Sequence, residues 1–256
     1  MLDKKSPIPL YYQLVEAIRD RIRAGGLTPG AQLPPERELG EQYGISRMTV
    51  RQALQYLISE GVLVARQGSG TFVAEPKLTF DLRHALGFTD EMMRRGADAA
   101  SQVLEQSVVT PPESVAARLA LPTDGRATRI VRLRLAAGVP LVLETVYVPT
   151  SLFPGLEREN LTQHSLYRLM RDVHGVNPAG AHQTLASVPA NEYEGHLLGV
   201  QPGTPMILVK GVTVDQDDQP IECFKAIYRG DRFEIAFDSR PSGTRDNVPH
   251  LAVVMR

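Results

Sequence analysis

The chain has 256 residues, 43% of them hydrophobic, with a formal net charge of -1 and one cysteine, Cys223, which is enough for two domains with cores of their own. Near-zero net charge excludes a polycation, so any nucleic-acid contact must come from a local cluster, and the lone cysteine excludes an internal disulfide framework or a cysteine-based zinc site. With no charged-then-apolar leader and no charge-free apolar run of about 18 residues, the expectation is a soluble cytoplasmic protein without membrane association.

In chain order, Tyr11, Leu14, Val15, Ile18 and Ile22 recur at helical spacing after Pro9 and predict a helix over 9–24, broken by "GGLTPG". A second short helix is predicted over 35–42, with Leu39 and Tyr43 inward and Gly44 stopping it. Ser46 is a good N-cap for a third, whose apolar stripe is Val50, Ala53, Leu54, Leu57 and Ile58 and which Gly61 ends. Two helices joined by a tight glycine turn make a helix-turn-helix, whose second helix enters the major groove with its N-terminal residues leading. Arg47 and Arg51 lie on a flank of the stripe, while Met48, Gln52 and Gln55 face away from it. Arginine grips guanine or phosphate through paired donors, and Gln52 suits adenine. Surface arginines on a helix are more often merely solvated, so this pair by itself does not establish a DNA role. "VLVARQGSGTFVA" reads as a hairpin, 62–66 and 71–74, around Gln67, Gly68 and Gly70, the position of a wing.

"LPPERELGEQYGISRMTVRQALQYLISEGVL" followed by "RQGSGTFV" resembles the N-terminal domain of GntR-type transcription regulators. The resemblance implies double-stranded operator DNA as a partner, contacted by Arg37, Arg47, Thr49, Arg51 and Gly68. Ser46, Gln52, Gly70 and Thr71 stand beside them. Pro35 departs from the serine common there, a change that suits the first helical turn.

Residues 75–85 lack periodicity and read as a linker between a first domain, 1–74, and a second, 86–238. "FTDEMMRRG" predicts a short helix capped by Thr89 and closed by Gly96, followed by a strand over 101–109 and a helix over 113–119. "RIVRLRLAAGVPLVLETVYVP" reads as a hairpin, 129–135 with 141–148, and "PMILVKGVTVDQDDQPIECFKAIYRGDRF" echoes it. Two similar hairpins predict an antiparallel sheet built from paired halves, with helices over 165–173 and 191–198 covering one face. The fold class is therefore α+β.

Strand alternation sets Arg132 and Arg134 on one face, roughly 7 Å apart, and Val131, Leu133 and Leu135 on the other. Glu222, Phe224, Ala226 and Tyr228 share a face, and Glu144 stands where an apolar residue is expected between Val142 and Val146. Paired guanidinium groups opposite carboxylates make an anion pocket with acceptors for hydroxyls or amines. A cross-strand Arg132–Glu144 ion pair of purely structural purpose fits the same parity equally well.

From "LGFTDEMMRRG" through "IYRGDRF" the chain resembles the effector-binding UTRA domain of the HutC subfamily of GntR regulators, a fold shared with chorismate lyase. It is most similar to regulators that sense N-acetylglucosamine 6-phosphate or related sugar phosphates. The resemblance implies effector contacts at Thr89, Arg132, Arg134, Ser165 and Tyr167 on the phosphate side and at Glu144, Glu222 and Tyr228 on the sugar side, with Phe88 also among the effector-binding residues. Subfamily members also take histidine-pathway intermediates, fatty acids and other sugars.

The expected function is thus a ligand-responsive repressor, homodimeric because two-fold operators demand it. The competing class is an enzyme on a lyase fold, which fold alone does not establish. Six scattered histidines without ligand spacing, no nucleophile elbow and no phosphate-binding glycine loop argue against it, and no cofactor or metal is expected. Residues 239–256 form a tail with no readable role.

Overall fold

The computed structural model describes residues 2–66, 68–75, 77–81, 88–94 and 98–236. Gln67, Gly96, residues 82–85 of the expected linker and the tail over 239–256 lie outside the described residues. The chain divides into two units, Met1–Lys77 and Leu78–Arg256.

In the first unit, α1 (Leu10–Arg23), α2 (Glu36–Tyr43) and α3 (Arg47–Ser59) precede β1 (Leu63–Arg66) and β2 (Gly70–Val73). Leu14, Val15 and Ile18 of α1 pack with Leu39, Val50, Ala53, Leu54 and Leu57 in one core, as the helical spacing requires. Gly44 takes the left-handed φ of 66° that closes α2, and the Ser46 hydroxyl accepts from the Thr49 amide at 3.1 Å to start α3. β1 and β2 pair antiparallel from Leu63↔Val73 to Arg66↔Gly70. Residues 30–33 add a third rail to this wing, where the Leu33 amide donates to the Thr71 carbonyl at 2.8 Å and the Val73 amide to that of Ala31 at 2.9 Å.

The second unit runs β3 (Leu78–Asp81), α4 (Phe88–Arg94), β4 (Ala99–Val109), α5 (Glu113–Arg118), β5 (Ala127–Ala136) and β6 (Val139–Pro149), then a 3-10 turn (Leu156–Arg158). It continues with α6 (Leu166–Asp172), β7 (Pro178–Pro189), α7 (Glu192–Leu198), β8 (Pro205–Asp215), β9 (Pro220–Arg229) and β10 (Phe233–Ala236). Six strands form a sheet in the order β4-β5-β6-β9-β8-β7, antiparallel throughout. Each half is strand, helix, strand, strand, and the halves meet at β6 and β9, so the paired hairpins read from the sequence are the inner part of a larger duplication.

Three expectations need correction. Residues 78–81, placed in the linker, form β3, which pairs parallel with β10 through Leu78↔Phe233 to Asp81↔Ala236. The helix expected to be capped by Thr89 starts at Phe88, which puts Thr89 inside its first turn. The helices over 165–173 and 191–198 cover opposite faces rather than one. α6 packs on Ile130, Val146 and Val148, whereas Leu198 of α7 packs on Val131, Leu133, Leu143 and Ile227. These are the two parities of the same strands.

Candidate functional site

The leading end of α3 is exposed. The side chains of Arg47 and Arg51 keep 65% and 45% of their accessibility, and Met48, Gln52 and Gln55 are exposed beside them, with Thr49 half-buried. Both arginines converge on Glu36, the first residue of α2. Arg51 donates to it twice, from Nε at 2.9 Å and Nη2 at 2.8 Å, and Arg47 once at 3.5 Å. The Arg51 bonds in particular hold the Glu36 carboxyl below its ordinary value, against a smaller opposing effect of burial. Arg37 stands apart from this pair, exposed and 3.9 Å from Glu41. In the wing, Gly68 and Gly70 adopt φ of 73° and 113°, conformations that favour glycine. The Gln32 side-chain amide donates to the Ser69 carbonyl at 2.7 Å, and Arg66 lies over the Phe72 ring at 4.5 Å.

The second cluster sits on the sheet face that α4 and α6 cover. Cross-strand register sets Arg132 opposite Glu144 and Arg134 opposite Val142. On the next strand Ala226 stands opposite Glu144 and Tyr228 opposite Val142; Ala226, lacking a long side chain, leaves Glu144 room. Both arginines are 3% exposed. Arg132 pairs with Glu144. Arg134 donates to Glu144 at 3.0 Å and to the Thr89 hydroxyl at 2.5 Å, and its guanidinium lies 4.9 Å from the Phe88 ring centre. Across the face, Glu222 Oε2 accepts from the Tyr167 hydroxyl at 2.8 Å and from the buried Thr213 hydroxyl at 2.7 Å. The Ser165 hydroxyl accepts from the Arg168 amide at 3.5 Å and caps α6, two residues before Tyr167.

Electrostatics give the cluster a sign. Burial raises Glu144, but Arg132 and Arg134 together outweigh it and keep this carboxyl ionised below its ordinary value. Burial pushes Glu222 up, with Glu144 adding to the rise and the Thr213 and Tyr167 bonds opposing it. Burial also raises Tyr167 and Tyr228, and the charge of a neighbouring glutamate adds to each rise, Glu222 for Tyr167 and Glu144 for Tyr228. The guanidinium groups of Arg132 and Arg134 both face the single carboxylate of Glu144 in this buried space. Arg132 Nε and Nη1 and Arg134 Nε are buried without a hydrogen-bond partner, an arrangement that costs about 1 to 3 kcal/mol per group unless something accepts from them.

Two participants went unread in the sequence. Thr213 is readable only in hindsight, as the residue opposite Glu222 in the β8–β9 register. Glu36 meets its arginines over 11 and 15 residues of sequence, with no local pattern to announce it. Among the described residues no group of three or more His, Cys, Asp or Glu is placed to hold a metal, and no helix is long and apolar enough to cross a membrane.

A winged helix-turn-helix with an exposed, arginine-led third helix, carried on the same chain as a sheet domain with buried unsatisfied guanidinium groups, defines a ligand-responsive transcription regulator. Residues 10–73 match the family of bacterial regulatory proteins termed gntR, and residues 94–234 match the UTRA domain. The chain belongs to the GntR family and carries a UTRA domain. It is 38% identical to the HTH-type transcriptional repressor NagR of Bacillus subtilis (strain 168), over 91% of this chain and 95% of that protein. It is 31% identical to the mannosyl-D-glycerate transport/metabolism system repressor MngR of Escherichia coli (strain K12), over 81% and 87%. The crystal structure of PhnF from Mycobacterium smegmatis superposes with a TM-score of 0.62 at 32% identity, covering 88% of this chain and all of that one. The chain is therefore a DNA-binding transcription regulator with an effector domain, and not an enzyme.

Proposed function

We propose that this regulator is a cytoplasmic homodimeric repressor whose hold on a two-fold operator is released by a phosphorylated amino sugar. The observation that carries the effector half is the pair Arg132 and Arg134, buried, both facing Glu144, and holding three unfilled donors. A phosphate monoester supplies acceptors for all three, and Glu144, Glu222 and Tyr228 are then placed for sugar hydroxyl and amide groups. Phe88, Thr89, Ser165 and Tyr167 complete the phosphate end. The resemblance to regulators of N-acetylglucosamine 6-phosphate response supports the sugar, and α6, only seven residues long, leaves the phosphate to side chains rather than to a helix dipole.

DNA reading is assigned to Ser46, Arg47, Thr49, Arg51 and Gln52 at the head of α3, to Arg37 on α2, and to Gly68, Gly70 and Thr71 of the wing. The route from pocket to head follows the chain. Tyr228 meets Phe233 edge to face with ring centres 5.1 Å apart, and Phe233 opens β10, the partner of β3. β3 begins where the first unit ends. An effector that moves Tyr228 thereby acts on the segment that joins reading head to pocket.

Thermal-shift titration of the full chain with N-acetylglucosamine 6-phosphate, N-acetylglucosamine and inorganic phosphate tests this, paired with operator gel shifts. Stabilisation and operator release by the phosphorylated sugar alone are the expected result. A response confined to carboxylates or fatty acids would overturn the sugar phosphate assignment.

A further inference from the structure

The sheet is lined on both faces. Alternation along β5, β6 and β9 turns Arg132, Glu144 and Tyr228 toward the effector pocket, and Val131, Leu143, Thr145, Lys225 and Ile227 toward the face that α7 covers. On that second face a cavity of about 270 Å³ lies between α7 and the sheet. Its floor is apolar, formed by Val131, Leu143 and Ile227, and Leu104 of β4 closes one side. A bulge puts Leu104 there. Val103 pairs with Arg132 and Glu105 with Val131, so the residue between them has no partner, and two consecutive side chains, Leu104 and Glu105, reach the same space.

Charge is confined to the two ends of the cavity. At the β4 end Glu105 is paired with Arg129. At the α7 end the pairing is incomplete, because Lys225 Nζ stands 4.0 Å from Glu194 Oε1, beyond hydrogen-bond reach. Glu194 is not free to close the gap. The capping box of α7 fixes it: Oε2 accepts from the Asn191 amide at 3.2 Å, and the Glu194 amide donates to the Asn191 side chain at 2.8 Å. Its side chain is 9% exposed, which leaves Oε1 a buried carboxylate oxygen in want of a donor. On the far side of Lys225 the strand register sets Lys210 directly opposite, and like charges so placed repel. The Lys225 ammonium is thus short of negative charge.

An ammonium and a carboxylate held slightly too far apart, beside an apolar floor, match the head group of an amino acid. We propose that this cavity binds a free α-amino acid with an apolar side chain. Its carboxylate accepts from Lys225 Nζ and from the hydroxyl of Thr145, the register neighbour of Lys225; its ammonium donates to Glu194 Oε1; and its side chain lies on Val131, Leu143 and Ile227. A ligand with a carboxylate alone meets repulsion from Glu194, and one with an amine alone meets it from Lys225, so both signs are required. The site stands one sheet thickness from the effector pocket and does not depend on which effector that pocket takes.

Isothermal titration calorimetry of the full chain with leucine and phenylalanine, beside the single-charge analogues isocaproate and isoamylamine, tests this. One amino acid per chain is expected to bind, about tenfold or more tighter than either analogue. A similar loss is expected in Lys225→Met and in Glu194→Gln, which keeps the capping box and removes the charge. Binding should be retained in Arg132→Ala, which alters only the opposite face. No heat with either amino acid at millimolar concentration, equal affinity for isocaproate, or binding that survives both substitutions overturns the site. Operator gel shifts on the same proteins are scored separately, so any of these outcomes leaves the repressor reading intact. If Lys225→Met fails to fold, Glu194→Gln and the analogue series decide.

Discussion

Glu36 and Arg51 are locked side-on, two hydrogen bonds of 2.9 and 2.8 Å joining the first residue of α2 to the fifth residue of α3. The geometry orders a guanidinium group that is 45% exposed, and ordering a long side chain before it meets DNA removes part of the entropy cost of binding. The same carboxylate repels phosphate. Glu36→Gln is therefore expected to leave non-operator binding unchanged or tighter while the margin between operator and non-operator DNA shrinks by about 1 kcal/mol. Fluorescence anisotropy with both duplexes measures the margin, and an unaltered ratio would show the lock has no part in discrimination.

Arg47 is less restrained, reaching Glu36 only at 3.5 Å with 65% of its side chain exposed. Its removal should act on recognition rather than on folding. Arg47→Ala is expected to weaken operator binding by about 1 to 3 kcal/mol and relax sequence preference, with the melting temperature unchanged. Uniform weakening across all duplexes, with discrimination kept, would place Arg47 on phosphate instead of a base.

The wing makes a separate prediction through its backbone. Gly70 has φ of 113°, and a Cβ there would come within 2.8 Å of the Gln32 side-chain nitrogen, the same group that braces the Ser69 carbonyl. The flexible amide can withdraw, but the dihedral angle cannot relax without refolding the turn, a strain of about 1 to 3 kcal/mol. Gly70→Ala should lower operator affinity and deletion of 68–70 should lower it further, in gel shifts at fixed salt. Equal midpoints for all three proteins would show that the wing is idle on DNA.

In the pocket, charge balance decides which substitution is worst. Arg132→Ala leaves Glu144 its bond to Arg134, so operator binding should survive while the response to a phosphorylated effector is lost. Glu144→Gln leaves two buried guanidinium groups without a carboxylate, and breaking a buried pair in this way costs about 3 to 5 kcal/mol. An anion in the pocket would restore part of that loss. Calorimetry should therefore show Glu144→Gln melting well below the natural protein and gaining more from added phosphate. If phosphate stabilises both proteins equally, it does not bind between these arginines.

The pocket arginines and the α2–α3 lock differ in how far the sequence reveals them. Strand parity alone places Arg132 and Arg134 together and away from Val131 and Leu133, because alternation is a local rule. Ser46 as a cap and Gly44 as a helix stop are local in the same way. What stays hidden is non-local. β3 is four residues whose partner lies over 150 positions away, at Phe233–Ala236, so no period distinguishes it from a linker. The split of α6 and α7 between the two faces depends on which parity of strand residues each meets, and neither helix carries that information in its own spacing. Glu36 looks like one charge among several in "PPERELGEQ", and only the turn at Gly44 swings it against α3.

Glu222 sets the pH behaviour of the pocket. It is 3% exposed, faces Thr213, Tyr167, Glu144 and Arg132, and burial lifts its carboxyl above the ordinary value of about 4.5. A carboxyl raised in the folded state binds its proton more tightly there than in the unfolded chain. Its contribution to stability is thus fully present below about 4.5 and is lost as pH rises through the folded value, at a slope of up to about 1.4 kcal/mol per pH unit across that window. Glu222→Gln keeps the size and removes the titration. Chemical denaturation of both proteins across this range should show the natural protein losing stability relative to the variant as pH rises, and parallel curves would mean that Glu222 ionises as readily inside the sheet as in water.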